Sequence, residues 1–139
     1  MLKKTITFTD FNGVERKEDY YFNLTKAELI KMELGVKGGL AEKIQRITNE
    51  QDAPAIMEFF EELILKSYGK KSEDGKSFIK TDAIREEFKN SAAYDVLFME
   101  MVTDETKGSE FITGIIPAEL AVELAKSNAN VAALPGAAN

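Results

Sequence analysis

Gly75-Lys76-Ser77, with Gly69 upstream, is the part of this chain most similar to a phosphate-binding loop. Such a loop needs a fixed glycine spacing, a strand before it and a helix after it, so that backbone N–H groups converge on phosphate oxygens. Here the spacing is one residue too long. The preceding pattern is helical, and Glu73 and Asp74 would repel phosphate. Ser67-Tyr68-Gly69-Lys70 and Ser77-Phe78-Ile79-Lys80 have the Ser-x-x-Lys spacing of a lysine-activated serine. The companion motifs are missing, and neither serine opens a helix. The carboxylate pairs Glu61-Glu62, Glu86-Glu87 and Asp104-Glu105 are sequence neighbours. On a helix such neighbours diverge by about 100° and read as solvated faces. The segment around Asp74 lacks the ligand run of a calcium loop. Gly35, Gly38 and Gly39 follow a helical pattern, which makes them a joint and not a dinucleotide turn. The chain has no His and no Cys. Neither a histidine base, nor a Cys/His zinc site, nor a serine or cysteine triad can be assembled. The expectation is a non-enzymatic protein with no catalytic, cofactor-binding or metal-ligating residues.

The elements that would position any site follow from periodicity. Residues 2–9 alternate, with Ile6 and Phe8 on one face and Thr5, Thr7 and Thr9 on the other. Asn12-Gly13 suits a turn, and Val14–Phe22 reads as the returning strand of a hairpin over residues 2–22. Its middle, Glu15 to Asp19, is charged throughout and belongs in water or at a sheet edge. Thr25 and Glu28 have capping-box spacing, so a helix starts there and runs to Gly35. A second helix covers residues 40–49. Asp52 caps a third, with Pro54 in its first turn, where a missing N–H costs nothing. In that helix Ile56, Phe59, Phe60, Leu63 and Ile64 form the central core stripe, and Gly69 is its stop signal. Residues 70–80 read as a polar stretch with a turn at Asp74-Gly75. Thr81 or Asp82 caps a helix carrying Ile84 and Phe88, Ser91 can cap again, and Asp104 to Gly108 is a joint or another helix start. Pro117 opens the segment Ala118 to Lys126. The predicted fold is α+β, mostly α: an N-terminal β-hairpin followed by a bundle of five to six helices. One domain spans residues 1–126, with its helical body over 25–126. Residues 127–139, uncharged and rich in Ala and Asn, read as a flexible C-terminal tail.

At 139 residues, 44% of them hydrophobic, the chain is large enough for one core. Its net charge of −6 sets phosphate backbones and anionic membranes against it, so neither nucleic acid nor membrane is an expected partner. No stretch has the length of a membrane span, and absent cysteine fits a reducing compartment. The reading is a soluble, cytosolic protein that works by binding other proteins.

Tyr94, Phe98, Met99, Met101 and Val102 form a wide apolar stripe, followed by Phe111, Ile112 and Ile115. Helical spacing makes core the favoured use of such a stripe. Its width and its methionines leave a second use open: one edge awaiting a partner. These eight residues are the candidate protein-binding set.

The charged hairpin leads into Tyr21-Phe22-Asn23-Leu24-Thr25-Lys26-Ala27-Glu28-Leu29, and Ser109-Glu110-Phe111-Ile112-Thr113-Gly114-Ile115-Ile116-Pro117 lies near the end. With the acidic helical body between them, residues 4–120 resemble the tail assembly chaperones of long-tailed phages and prophages of Gram-positive bacteria. The resemblance implies a protein of the host cytoplasm that keeps tape-measure and tail-tube proteins soluble until the tail polymerises. It implies no catalytic residues, and it leaves self-association into a homo-oligomer open. The alternative is a structural virion component such as a tail-completion or connector protein.

Overall fold

The computed structural model describes residues 1–117, apart from the side chain of Thr48. The segment Ala118 to Lys126 and the tail 127–139 lie outside the described residues. Ten elements follow in order: β1 (Leu2–Thr9), β2 (Glu15–Phe22), α1 (Lys26–Leu34), α2 (Leu40–Asn49), α3 (Ala53–Ser67), β3 (Tyr68–Lys71), β4 (Phe78–Ile79), α4 (Asp82–Lys89), α5 (Ala92–Thr103) and α6 (Glu105–Ile115). The fold is α+β and mostly helical, as the sequence indicates, with a four-stranded antiparallel sheet in the order β1-β2-β3-β4.

The hairpin forms where alternation places it. Asp10 accepts backbone N–H bonds from Asn12 and Val14, closing the turn. The register pairs Ile6 with Glu18 and Phe8 with Arg16. Residues directly opposite share a face, so Leu2, Ile6, Phe8, Tyr20 and Phe22 lie on the helix side. The other face carries Lys3, Thr5, Thr7 and Thr9 against Tyr21, Asp19, Lys17 and Glu15, and meets water.

Capping residues set the helix starts. Thr25 and Glu28 form the complete capping box of α1. Asp52, Thr81, Ser91 and Asp104 each accept a backbone N–H in the first turn of α3, α4, α5 and α6. Asp104 is therefore a cap and not merely a joint.

Two expectations change in the middle of the chain. The third helix ends at Ser67, two residues before Gly69, and residues 70–80 are not simply a turn. Tyr68 leaves the helix in extended conformation and enters β3, which pairs with Tyr21 and Phe22 of β2 on one side and with β4 on the other. Gly69 serves this crossing. A Cβ there would lie 2.7 Å from the Phe78 ring and 2.9 Å from the Ile79 carbonyl oxygen.

The core fills the space between the sheet and the helices, with Met32 of α1 and Ile47 of α2 joining the buried residues of α3 to α6. Phe22 is fully buried at its centre and meets Tyr68, Phe88 and Phe111 with ring centroids 5.7, 5.8 and 5.3 Å away. Tyr68 stacks on Phe88 at 4.2 Å. Such pairs contribute about 0.5–1.5 kcal/mol each beyond their buried area. In α3 the inward residues are Phe59, Leu63 and Ile64, whereas Ile56 and Phe60 are half-buried at its flank.

Candidate protein-binding surfaces

The α5 stripe is built by its position over β1. Ser91 starts the helix, and Ala93, Leu97 and Met101 recur at i, i+4 and i+8 to form a buried row. Lys4 of β1 donates to the Glu100 carboxylate at 3.0 Å, and Lys107 approaches it at 3.3 Å, fixing sheet, α5 and α6 together. Burial works to raise the Glu100 pKa, but the two lysines outweigh it and hold it below the usual glutamate range. Tyr94 stacks on Phe98 at 5.8 Å and meets the edge of Phe88 at 5.7 Å. Burial, then the Glu61 charge, pushes its phenol up to about 12, so it remains neutral.

This geometry splits the eight candidates into three rows. Met101, Phe111 and Ile115 are 1–2% exposed and belong to the core. Phe111 packs on Phe22, and the Ile115 carbonyl accepts the Leu24 N–H at 2.7 Å. Tyr94, Phe98, Val102 and Ile112 are half-buried shoulders. Met99 is 47% exposed and, with Val96 at 38%, forms the outward edge of α5. The stripe is mainly core, the use its spacing favours, with a narrow apolar edge left in contact with water.

Other apolar surface escapes the sequence reading. Ile30 and Leu34 stand one turn apart on the outer face of α1, and Leu34 is 81% exposed. The inner face of α1 buries Met32, so this short helix is apolar on two sides. A pattern of Leu29, Ile30, Met32 and Leu34 without a polar face is the signal that could have flagged it. Phe11, 85% exposed, and Val14 mark the hairpin tip.

A groove of about 330 Å³ lies between α1, α2 and α3. Leu24, Met32, Leu40 and Phe59 supply its apolar lining. Lys31, Lys43, Lys66 and Arg85 stand around it with Glu28 and Glu62. Lys43 sits 5.8 Å from the Phe59 ring centroid, and Lys66 reaches Glu62 at 2.9 Å. The Arg85 Nε donates to the Leu65 carbonyl at 2.9 Å.

The motif fragments have structural uses. Gly75-Lys76-Ser77 is the β3–β4 turn, and its Lys76 N–H donates to the Asp74 carboxylate, the wrong charge for cradling phosphate. The buried Ser67 hydroxyl is held by the Leu63 and Ile64 carbonyls. Among the described residues no group of three or more carboxylates could hold a metal ion. No described helix is long and apolar enough to cross a membrane.

A family model described as phage tail assembly chaperone matches residues 1–136. No curated protein and no solved structure matches the chain.

Proposed function

The chain belongs to the phage tail assembly chaperone family, and from that premise we propose that it binds tape-measure and tail-tube proteins in the host cytoplasm and keeps them soluble until the tail assembles. The observation that carries this reading is the pairing of the family match with apolar side chains displayed on regular elements: Met99 and Val96 on α5, Ile30 and Leu34 on α1. A holding protein needs apolar contact area set in a charged exterior that keeps the complex in solution, and the net charge of −6 provides the second part. Tape-measure proteins are long helices, and a helix lays its apolar face against apolar edges of this kind.

Within the eight-residue candidate set, the partner-facing part is Met99 with its shoulders Tyr94, Phe98, Val102 and Ile112. Met101, Phe111 and Ile115 support it from below. The test is co-purification: a tagged chain should retain the tape-measure protein, and Val96→Asp with Met99→Asp should weaken retention. A second role, as a virion component, makes the opposite statement about finished particles. Mass spectrometry of purified virions separates the two, because a chaperone leaves the tail and a connector stays.

A further inference from the structure

We propose that the groove between α1, α2 and α3 docks an amphipathic helix of a partner protein that carries carboxylates along one flank. The existence of a partner rests on the chaperone reading. The chemistry of the partner rests on the groove.

Charge is the first argument. The chain as a whole is acidic, at −6, yet four cations and only two carboxylates surround this groove. Lys66 is paired with Glu62, Arg85 with Asp82 at 3.3 Å and Glu28 with Lys80, so the positive character of the rim comes from Lys31 and Lys43, which form no ion pair among the described residues. At physiological salt the local sign dominates recognition, because charges more than about 8 Å away are screened. Lysine and arginine also suit such a rim, since their stems extend apolar surface while the charged ends stay at its edge.

The apolar lining is the second argument. Leu24, Met32 and Phe59 are each less than a tenth exposed, so the base is set by the core and does not depend on the partner. The space holds a few side chains, not a whole helix. That matches the anchors of one helix face, spaced three and four residues apart.

The walls supply the third. The first turn of α1 is pinned by Lys80, whose Nζ reaches both carboxylate oxygens of Glu28 at 2.8–2.9 Å. At its other end α1 joins α2 through Gly38 and Gly39, with φ of 82° and 89°, where a side chain would be strained. Between these points α1 packs sparsely on the rest of the protein. Beside that joint Glu33 accepts the Leu40 N–H at 2.9 Å, so this wall is held at both ends and the groove is formed before a partner arrives.

The experiment uses the full chain and two synthetic peptides of about 18 residues, or five helical turns, with the same Leu/Ala face. One has Glu flanks and the other Lys flanks. Binding is read by fluorescence anisotropy, and the site by amide NMR shifts. The Glu peptide should bind, with shifts at Met32, Val36, Lys43 and Phe59. The double variant Lys31→Glu, Lys43→Glu should weaken it by about tenfold or more, with an unchanged circular dichroism spectrum. Equal binding of both peptides, or shifts confined to α5, would overturn the proposal. So would absence of peptide binding by a chain that still retains the tape-measure protein, and in that case the chaperone reading would survive. If neither peptide nor tape-measure protein were bound, both would fail.

Discussion

Lys80 and Glu28 form the contact that ties α1 to the segment before α4. The Lys80 side chain is 11% exposed, and its ammonium is shared between the Glu28 carboxylate and the Asn23 carbonyl. Glu28 also closes the capping box with Thr25, so one carboxylate starts the helix and holds it down. Burial works to raise the Glu28 pKa. The Lys80 and Thr25 hydrogen bonds outweigh it, and the net shift is downward from 4.5.

That shift fixes a pH dependence. A carboxyl whose folded pKa lies below its unfolded value stabilises fully above the unfolded value, and the contribution disappears as pH falls through the folded pKa. Stability should therefore decline below about pH 4.5 in part through Glu28, and Glu100 contributes with the same sign. Glu28→Gln should cost about 1 kcal/mol at neutral pH, a figure reduced for the partial exposure of the carboxylate. Urea unfolding of both proteins at several pH values checks this: the gap between them should narrow in acid. A constant gap would show that the ionised form has no special role.

Phe22 is the core residue whose truncation should matter most. It is fully buried against Tyr68, Phe88 and Phe111, so Phe22→Ala should cost about 3–5 kcal/mol. Phe60→Ala should cost less, because Phe60 is half-buried beside Phe59. Equilibrium denaturation of the two variants gives the order directly.

Gly69→Ala should destabilise by about 1–3 kcal/mol through overpacking. The added methyl would meet the Phe78 ring and the Ile79 carbonyl, and a backbone oxygen cannot move aside as a side chain can. Gly69→Ala with Phe78→Ala should recover little stability, because the carbonyl contact remains. Full recovery would place the whole conflict on the ring.

The hairpin, α1 to α4 and the caps Thr25 and Asp52 were legible from sequence because the signals are local: alternation in 2–9, Thr25 three residues before Glu28, Asp52 before Pro54. The α4 cap stayed open between Thr81 and Asp82, Ser91 between a cap and an interruption, and Asp104 between a joint and a helix start. The β3–β4 pair was not. Tyr68–Lys71 and Phe78–Ile79 are too short for periodicity, and Tyr68-Gly69 is a strand only because Tyr21 and Phe22 stand ready to pair with it. The candidate surface was legible to a similar extent. Spacing identified the α5 stripe, but only packing against β1 and α6 separates buried Met101 from exposed Met99. The groove could not be read at all, since it joins Leu24, Met32 and Phe59 from three separate segments.

The exposed edge of α5 should be dispensable for folding. Val96→Asp with Met99→Asp should change stability by no more than about 0.5 kcal/mol per site, as surface substitutions do. A large drop in thermal midpoint would mean that these side chains belong to the core after all.

The central claim is tested most directly by the soluble yield of the tape-measure protein, expressed alone, with this chain, and with the Val96→Asp, Met99→Asp variant. Co-expression with the intact chain should move the tape-measure protein from the pellet to the supernatant, where the two co-purify, and the variant should lose much of that effect. A tape-measure protein that stays insoluble beside an abundant, folded chain, with no complex recovered, would contradict the account.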